Sequence, residues 1–120
     1  MDDRTLVLDL PLPPSTNSVY RTARNIPSVY LSKAGKDYKK AIAEICMLHD
    51  LEPVTGPVRV DMWVYFQRKG SDLANREKLL LDALEGFAYE NDRQVCELHM
   101  YKLYDKAYPH VEVHVTELPA

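Results

Sequence analysis

The sequence predicts one α+β domain in the order β-α-β-α-β-β, with a mixed sheet carrying two helices on one face. Three observations predict it. Residues 58–66 alternate between two faces, one wholly apolar and the other carrying Arg59, Asp61, Trp63 and Tyr65, the period of a half-buried strand. Residues 33–49 carry an apolar stripe at helical spacing behind a serine. A second helical stretch, 73–85, leads into two further strand-like segments, so helices and strands interleave around one core. A chain of 120 residues is read as one domain, 1–120.

Taken in order, residues 4–10 (Arg-Thr-Leu-Val-Leu-Asp-Leu) alternate enough for a first strand. Pro11-Leu-Pro-Pro14 ends it, because proline cannot donate to a ladder. Residues 15–31 show no clean period and read as a long ordered loop of the kind that carries function. Ser32 is the expected N-cap of the first helix. Ala34, Tyr38, Ala41, Ile45 and Leu48 form its stripe, with Ile42 beside it, and Lys33, Lys36 and Lys40 lie on another face. In 58–66, Val58, Val60, Met62, Val64 and Phe66 point one way, and Arg59, Asp61, Trp63 and Tyr65 the other. Asp72 is expected to open the second helix, with Leu73, Leu80, Leu84 and Phe87 buried and Gly86 as its C-terminal cap. Strands follow at 93–104 and 110–117, the last with Val111, Val113 and Val115 inward.

Composition narrows the class. The apolar and charged fractions, 46% and 28%, are those of a globular protein. Cys46 and Cys96 fall in periodic apolar segments without metal-site spacing and are expected to be reduced core thiols of a cytoplasmic protein. No uncharged apolar run reaches the roughly 20 residues of a membrane span, and Met1-Asp-Asp-Arg4 is not a secretory leader. The net charge of −3 argues against a polyanion, but its distribution does not. Residues 20–40 sum to +5 and residues 67–78 to +2, enough for a local field that steers DNA or, equally, for a solvated surface.

Asp72, Lys78 and Asp92 each have an ordinary explanation. Asp72 serves as a helix cap, Lys78 pairs with Asp82 one turn on, and Asp92 sits in a turn before a strand. Together they suggest more. Asn75, Lys78 and Asp82 fall within about 60° of one another on a helix stepping ~100° per residue, and they interrupt a leucine-rich stretch. Carboxylates that hold a hard divalent ion, with a cation nearby, are what phosphodiester hydrolysis requires.

The quoted segments extend this. Asp72-Leu-Ala-Asn75, Lys78, Asp82-Ala-Leu84 and Asn91-Asp-Arg-Gln-Val95 stand in order. They are preceded by Leu10-Pro-Leu-Pro-Pro-Ser-Thr-Asn17, Tyr20-Arg21 and Leu31-Ser32-x-x-Gly35. The pattern resembles the RusA-type Holliday junction resolvases over nearly the whole chain. The resemblance implies a RusA-like fold and a homodimer that cuts four-way DNA junctions symmetrically. It also implies a Mg²⁺ ion, replaceable by Mn²⁺, on carboxylates at positions 72, 74 and 92, with Lys78 nearby. Asp72, Lys78 and Asp92 are thus the expected catalytic residues, and Asp72 and Asp92 the metal ligands. Asn17, Tyr20, Arg21, Arg24, Lys33, Lys36, Arg68, Lys69, Asn75 and Arg76 are the expected DNA contacts. Two positions depart from the pattern. Asn91 replaces the first acid of an Asp-Asp pair, and Ala74 replaces a ligand outright. Ala74 is either a substituted aspartate or the mark of a protein that binds branched DNA and cuts it poorly.

Two other groups stand out. His110, Glu112 and His114 share a strand face, where a zinc site competes with a plain solvated row. Trp63 and Tyr65 are expected at a dimer surface or beneath a helix.

Overall fold

The computed structural model describes residues 5–15, 20–22 and 29–119, and within 20–22 and 29–30 the backbone alone. The elements are β1 Thr5–Leu10, β2 Tyr20–Thr22, β3 Val29–Leu31, α1 Lys33–Leu48, β4 Val58–Phe66, α2 Glu77–Leu84, β5 Val95–Tyr104 and β6 His110–Glu117. A single 3-10 turn, Asp92–Gln94, precedes β5. The four long strands form a mixed sheet in the order β1-β6-β4-β5. β6 runs antiparallel to β1 and β4, whereas β4 and β5 are parallel. Parallel neighbours need a crossover, and α2 supplies it. Among the described residues no helix is long and apolar enough to cross a membrane.

The alternation read in 58–66 is realised. Val58, Val60, Met62, Val64 and Phe66 are all buried and pack with Tyr38, Ile42, Leu79, Leu80 and Leu84 of the helices. Val111, Val113 and Val115 of β6 and Leu8 and Leu10 of β1 join the same core. Each such side chain contributes roughly 1.5–3 kcal/mol on leaving water. Both helices therefore lie on one face of the sheet.

Four expectations need correction, and one open alternative closes. The stretch 15–31 is not one irregular loop, because β2 and β3 pair as an antiparallel ribbon, Tyr20 opposite Leu31. Strands of three residues are too short to show a period. The α1 stripe is rotated: Gly35, Tyr38, Ile42 and Cys46 are buried, whereas Ala34 is exposed and Leu48 is 87% exposed. The Ser32 cap is present, its hydroxyl accepting from the Gly35 N–H. Cys46 is buried as expected, but Cys96 is exposed. The pairing steps from Val58–Val95 to Arg59–Glu97, so Cys96 is the extra residue of a bulge. Trp63 and Tyr65 lie on the helix-free face, not beneath a helix. Finally, α2 begins at Glu77, five residues after Asp72.

Candidate active site

The segment between β4 and α2 positions the first candidates. Asn75 has a φ of +65°, a left-handed conformation that stops a helix and that asparagine tolerates better than most residues. The helix expected from Asp72 is thereby delayed to Glu77. Asp72 is not its cap, and the capping position, Arg76, makes no side-chain capping bond. Asp72 is exposed in the irregular stretch just before the turn that carries Ala74. Ser15, Gly70, Asp72, Ala74, Asn75 and Arg76 line a polar pocket of about 340 Å³. Arg76 Nε donates to the Asp72 carbonyl at 3.1 Å and Nη1 to the Pro13 carbonyl at 2.8 Å.

The far end of α2 holds a second set. Asp82, Glu85 and Asp92 each offer an oxygen within 4.8 Å of the others, and all three are half-buried. Asp82 and Glu85 are three residues apart, neighbours on a helix surface, and Asp92 opens the 3-10 turn. Gly86, at φ +84°, ends the helix as expected and lets the chain fold back. Burial pushes the Glu85 carboxyl above its ordinary 4.5, and the charges of Asp92 and Asp82 raise it further against the opposing pull of Lys39. Tyr89 lies close to the same three acids. It is pushed up chiefly by burial, and its hydroxyl donates to the Leu81 carbonyl at 2.6 Å.

Gln94 fixes the turn that carries Asp92. Its Oε1 accepts from the main-chain N–H groups of Asn91 and Glu90 at 2.8 and 2.9 Å. Its Nε2 donates to the carbonyls of Val54 and Gly56 at 2.7 and 2.8 Å. Asn91 closes the reciprocal cap by accepting from the Arg93 N–H at 2.9 Å. An amide oxygen does this as well as a carboxylate, so Asn91 is a mild replacement.

The structure thus gathers Asp92 with Asp82 and Glu85. Asp72 does not belong to that group but lines the pocket beside Ala74. Lys33, Lys36, Arg68, Lys69 and Lys78 are exposed. Lys33 pairs with Asp37 at 3.0 Å, and the Lys69 ammonium lies 5.4 Å from the centre of the Tyr104 ring. Asn17 and Arg24 lie outside the described residues, as do the side chains of Tyr20 and Arg21.

Over residues 11–116 the chain matches the family model of endodeoxyribonuclease RusA. The chain belongs to the RusA family. Membership places it among nucleases that resolve Holliday junctions, and its small α+β fold agrees with that. No curated protein matches the chain. Within the RusA match, sequence reading missed Glu85 and the convergence of Asp82 with Asp92. The signal for the first was there, an acid three residues after Asp82 on the same helix face.

The histidine row is not a zinc site by geometry. Among the described residues the only group of three converging ligands is the acidic one. His114 Nε2 bonds Glu112 at 2.8 Å, and His110 stacks between Tyr65 and Tyr108 at 4.4 and 4.2 Å.

Proposed function

We propose that this chain is a structure-selective endonuclease for four-way DNA junctions, metal-dependent and weakened by Ala74. The observation that carries the reading is the convergence of three carboxylates next to the helix and turn that bear the family motif. The donor set fits a hard divalent ion such as Mg²⁺, with Mn²⁺ as a substitute: it is all carboxylate oxygen, and burial, with the neighbouring Asp92 and Asp82 charges adding to it, raises the Glu85 carboxyl. Asp92, Asp82 and Glu85 are the proposed donors of this cluster, and Asp72, which lies outside it, is proposed as a ligand from its place in the family motif. The chemistry supplied by such an ion is polarisation of the phosphate and activation of a water.

The chain's own residues do the rest. Lys78 offsets negative charge that builds on the phosphate oxygens as the bond breaks. Lys33, Lys36, Arg68 and Lys69 neutralise backbone phosphates, and Asn17, Tyr20, Arg21, Arg24 and Asn75 extend the contact surface. The Gln94 network holds Asp92 at a fixed place, so the carboxylate need not reorganise during reaction. Two symmetric cuts call for two copies. A homodimer is supported by β5, a ten-residue strand that is at the sheet's edge among the described residues and exposes Leu98, Tyr101, Leu103 and Tyr104.

A second reading, a branched-DNA binding protein without catalysis, is favoured by Ala74 alone, since a methyl group coordinates nothing. Cleavage of a four-way junction by an Ala74→Asp variant decides between them. Cutting with Mg²⁺ supports the nuclease reading. Normal junction binding without cutting, in Mg²⁺ and in Mn²⁺, supports the binding protein.

A further inference from the structure

We infer that Arg76 is a positioning residue for the Asp72 turn and not a phosphate anchor. The inference rests on the reading of Asp72 as a metal ligand. A guanidinium presents its donors as a rigid planar fork. Here two arms of the fork are taken by main-chain carbonyls, one local, Asp72 at 3.1 Å, and one from a distant part of the chain, Pro13 at 2.8 Å. Its face lies 5.0 Å from the centre of the Phe66 ring, and Phe66 is a core residue only 1% exposed. The cation is therefore held by the Asp72 turn, the proline segment and the end of β4 together.

The turn needs such a tie. The main-chain bonds on either side of Asp72 are long, Arg76 N–H to Leu73 at 3.3 Å and Ser71 N–H to Arg68 at 3.4 Å. The turn lies outside α2, and Asn75 interrupts helical conformation within it. The Pro13 end is firm, because the Tyr38 hydroxyl on α1 donates to the Pro11 carbonyl at 2.8 Å. Proline's fixed φ stiffens the residues between. Arg76 thus ties the Asp72 turn to a segment already anchored on the first helix.

The test uses the full chain and two readouts. One is Mn²⁺ affinity, followed by electron paramagnetic resonance of the free ion. The other is the salt dependence of metal-free binding to a four-way junction. Arg76→Met, which removes every donor, is expected to lower Mn²⁺ affinity roughly 10- to 100-fold, as loss of a group that orients a ligand does. Asp72→Asn is expected to lower it also, and Arg76→Lys to fall between Arg76→Met and the parent. The log–log salt slope of Arg76→Met should equal that of the parent, because a lost phosphate contact would flatten it by about 0.9. Parental Mn²⁺ affinity in Arg76→Met, with a loss in Asp72→Asn, overturns the positioning role. A slope flattened by about 0.9 overturns it too, and makes Arg76 an anchor. Parental Mn²⁺ affinity in Asp72→Asn overturns the reading of Asp72 as a ligand, and the inference with it, while leaving Asp82, Glu85 and Asp92 as the metal donors. Thermal unfolding checks each variant; if Arg76→Met does not fold, Arg76→Lys carries both comparisons.

Discussion

Replacing Gln94 by alanine removes four hydrogen bonds at once, yet they are not equal. The Glu90 N–H also donates to the Val54 carbonyl at 3.3 Å, so both of those groups keep a partner when the amide is lost. The Asn91 N–H and the Gly56 carbonyl are the groups whose side-chain partner disappears. Each bond is worth about 1 kcal/mol net, and more where the orphaned group stays dry, which sets the cost at roughly 2–3 kcal/mol. For a domain of this size that is a fall in Tm on the order of 10 °C. Gln94→Glu should cost more than Gln94→Ala. It keeps the acceptor for Asn91 but turns an anionic oxygen toward the carbonyls of Val54 and Gly56. Urea unfolding at constant m-value, with calorimetry beside it, measures both variants. A Gln94→Ala protein within 0.5 kcal/mol of the parent, or a Gln94→Glu protein more stable than Gln94→Ala, refutes the network as the element that holds the Asp92 turn; either threshold is about the usual scatter of surface substitutions.

Other perturbations follow from the same geometry. In an Ala74→Asp background, Lys78→Ala should suppress junction cutting more than junction binding, as a residue acting on developing charge does; equal losses in a gel-shift and a cleavage assay would mark it as an anchor. Because the Glu85 carboxyl lies above 4.5, the native state keeps a proton that the unfolded chain releases, so stability should fall as pH rises from 4.5 through the raised value. Added Mn²⁺ should therefore raise Tm at neutral pH and lose that effect below 4.5, and Glu85→Gln should flatten the decline in a Tm-against-pH series. Gly86→Ala forces a Cβ into φ +84° and should destabilise by about 1 kcal/mol in urea titration, despite the open space around the residue. Metal-free binding to four-way junctions should weaken steeply with salt, and Lys36→Ala should reduce the log–log slope by about 0.9 for each lost contact; a flat dependence argues against a phosphate surface.

The sheet and its core were legible because burial on one face imposes a period of two. Val58 to Phe66 and Val111 to Val115 therefore declare their inward residues directly. The α1 stripe was less legible: Ala34, Ala41, Ile42, Ile45 and Cys46 surround the helix, and which arc is buried depends on the sheet it meets. The late start of α2 was hidden by Asp72, a good capping residue, while the left-handed Asn75 decided the outcome. The acidic group was half legible. Asp92 announced itself through its motif, but its companions come from the last turn of a helix, and only the fold back at Gly86 brings them near. Gln94 was quoted as part of a pattern, yet its partners Val54 and Gly56 lie 40 and 38 residues away. No local reading reaches that far.

The helix-free face carries the chain's single tryptophan, and its surroundings make it a reporter. Trp63 on β4 stacks against Tyr101 of β5, ring centres 5.2 Å apart, and leans on His114 of β6 at 4.6 Å. Among the described residues β5 has β4 as its only neighbour in the sheet, so it is the strand that can peel away while the other three stay paired. Peeling would strip Tyr101 from the indole and leave His114 in place. Trp63 emission should then change in mild denaturant before the circular dichroism of the helices does. When a junction or a second copy seals that margin, the early fluorescence step should vanish, giving an optical measure of assembly without any label.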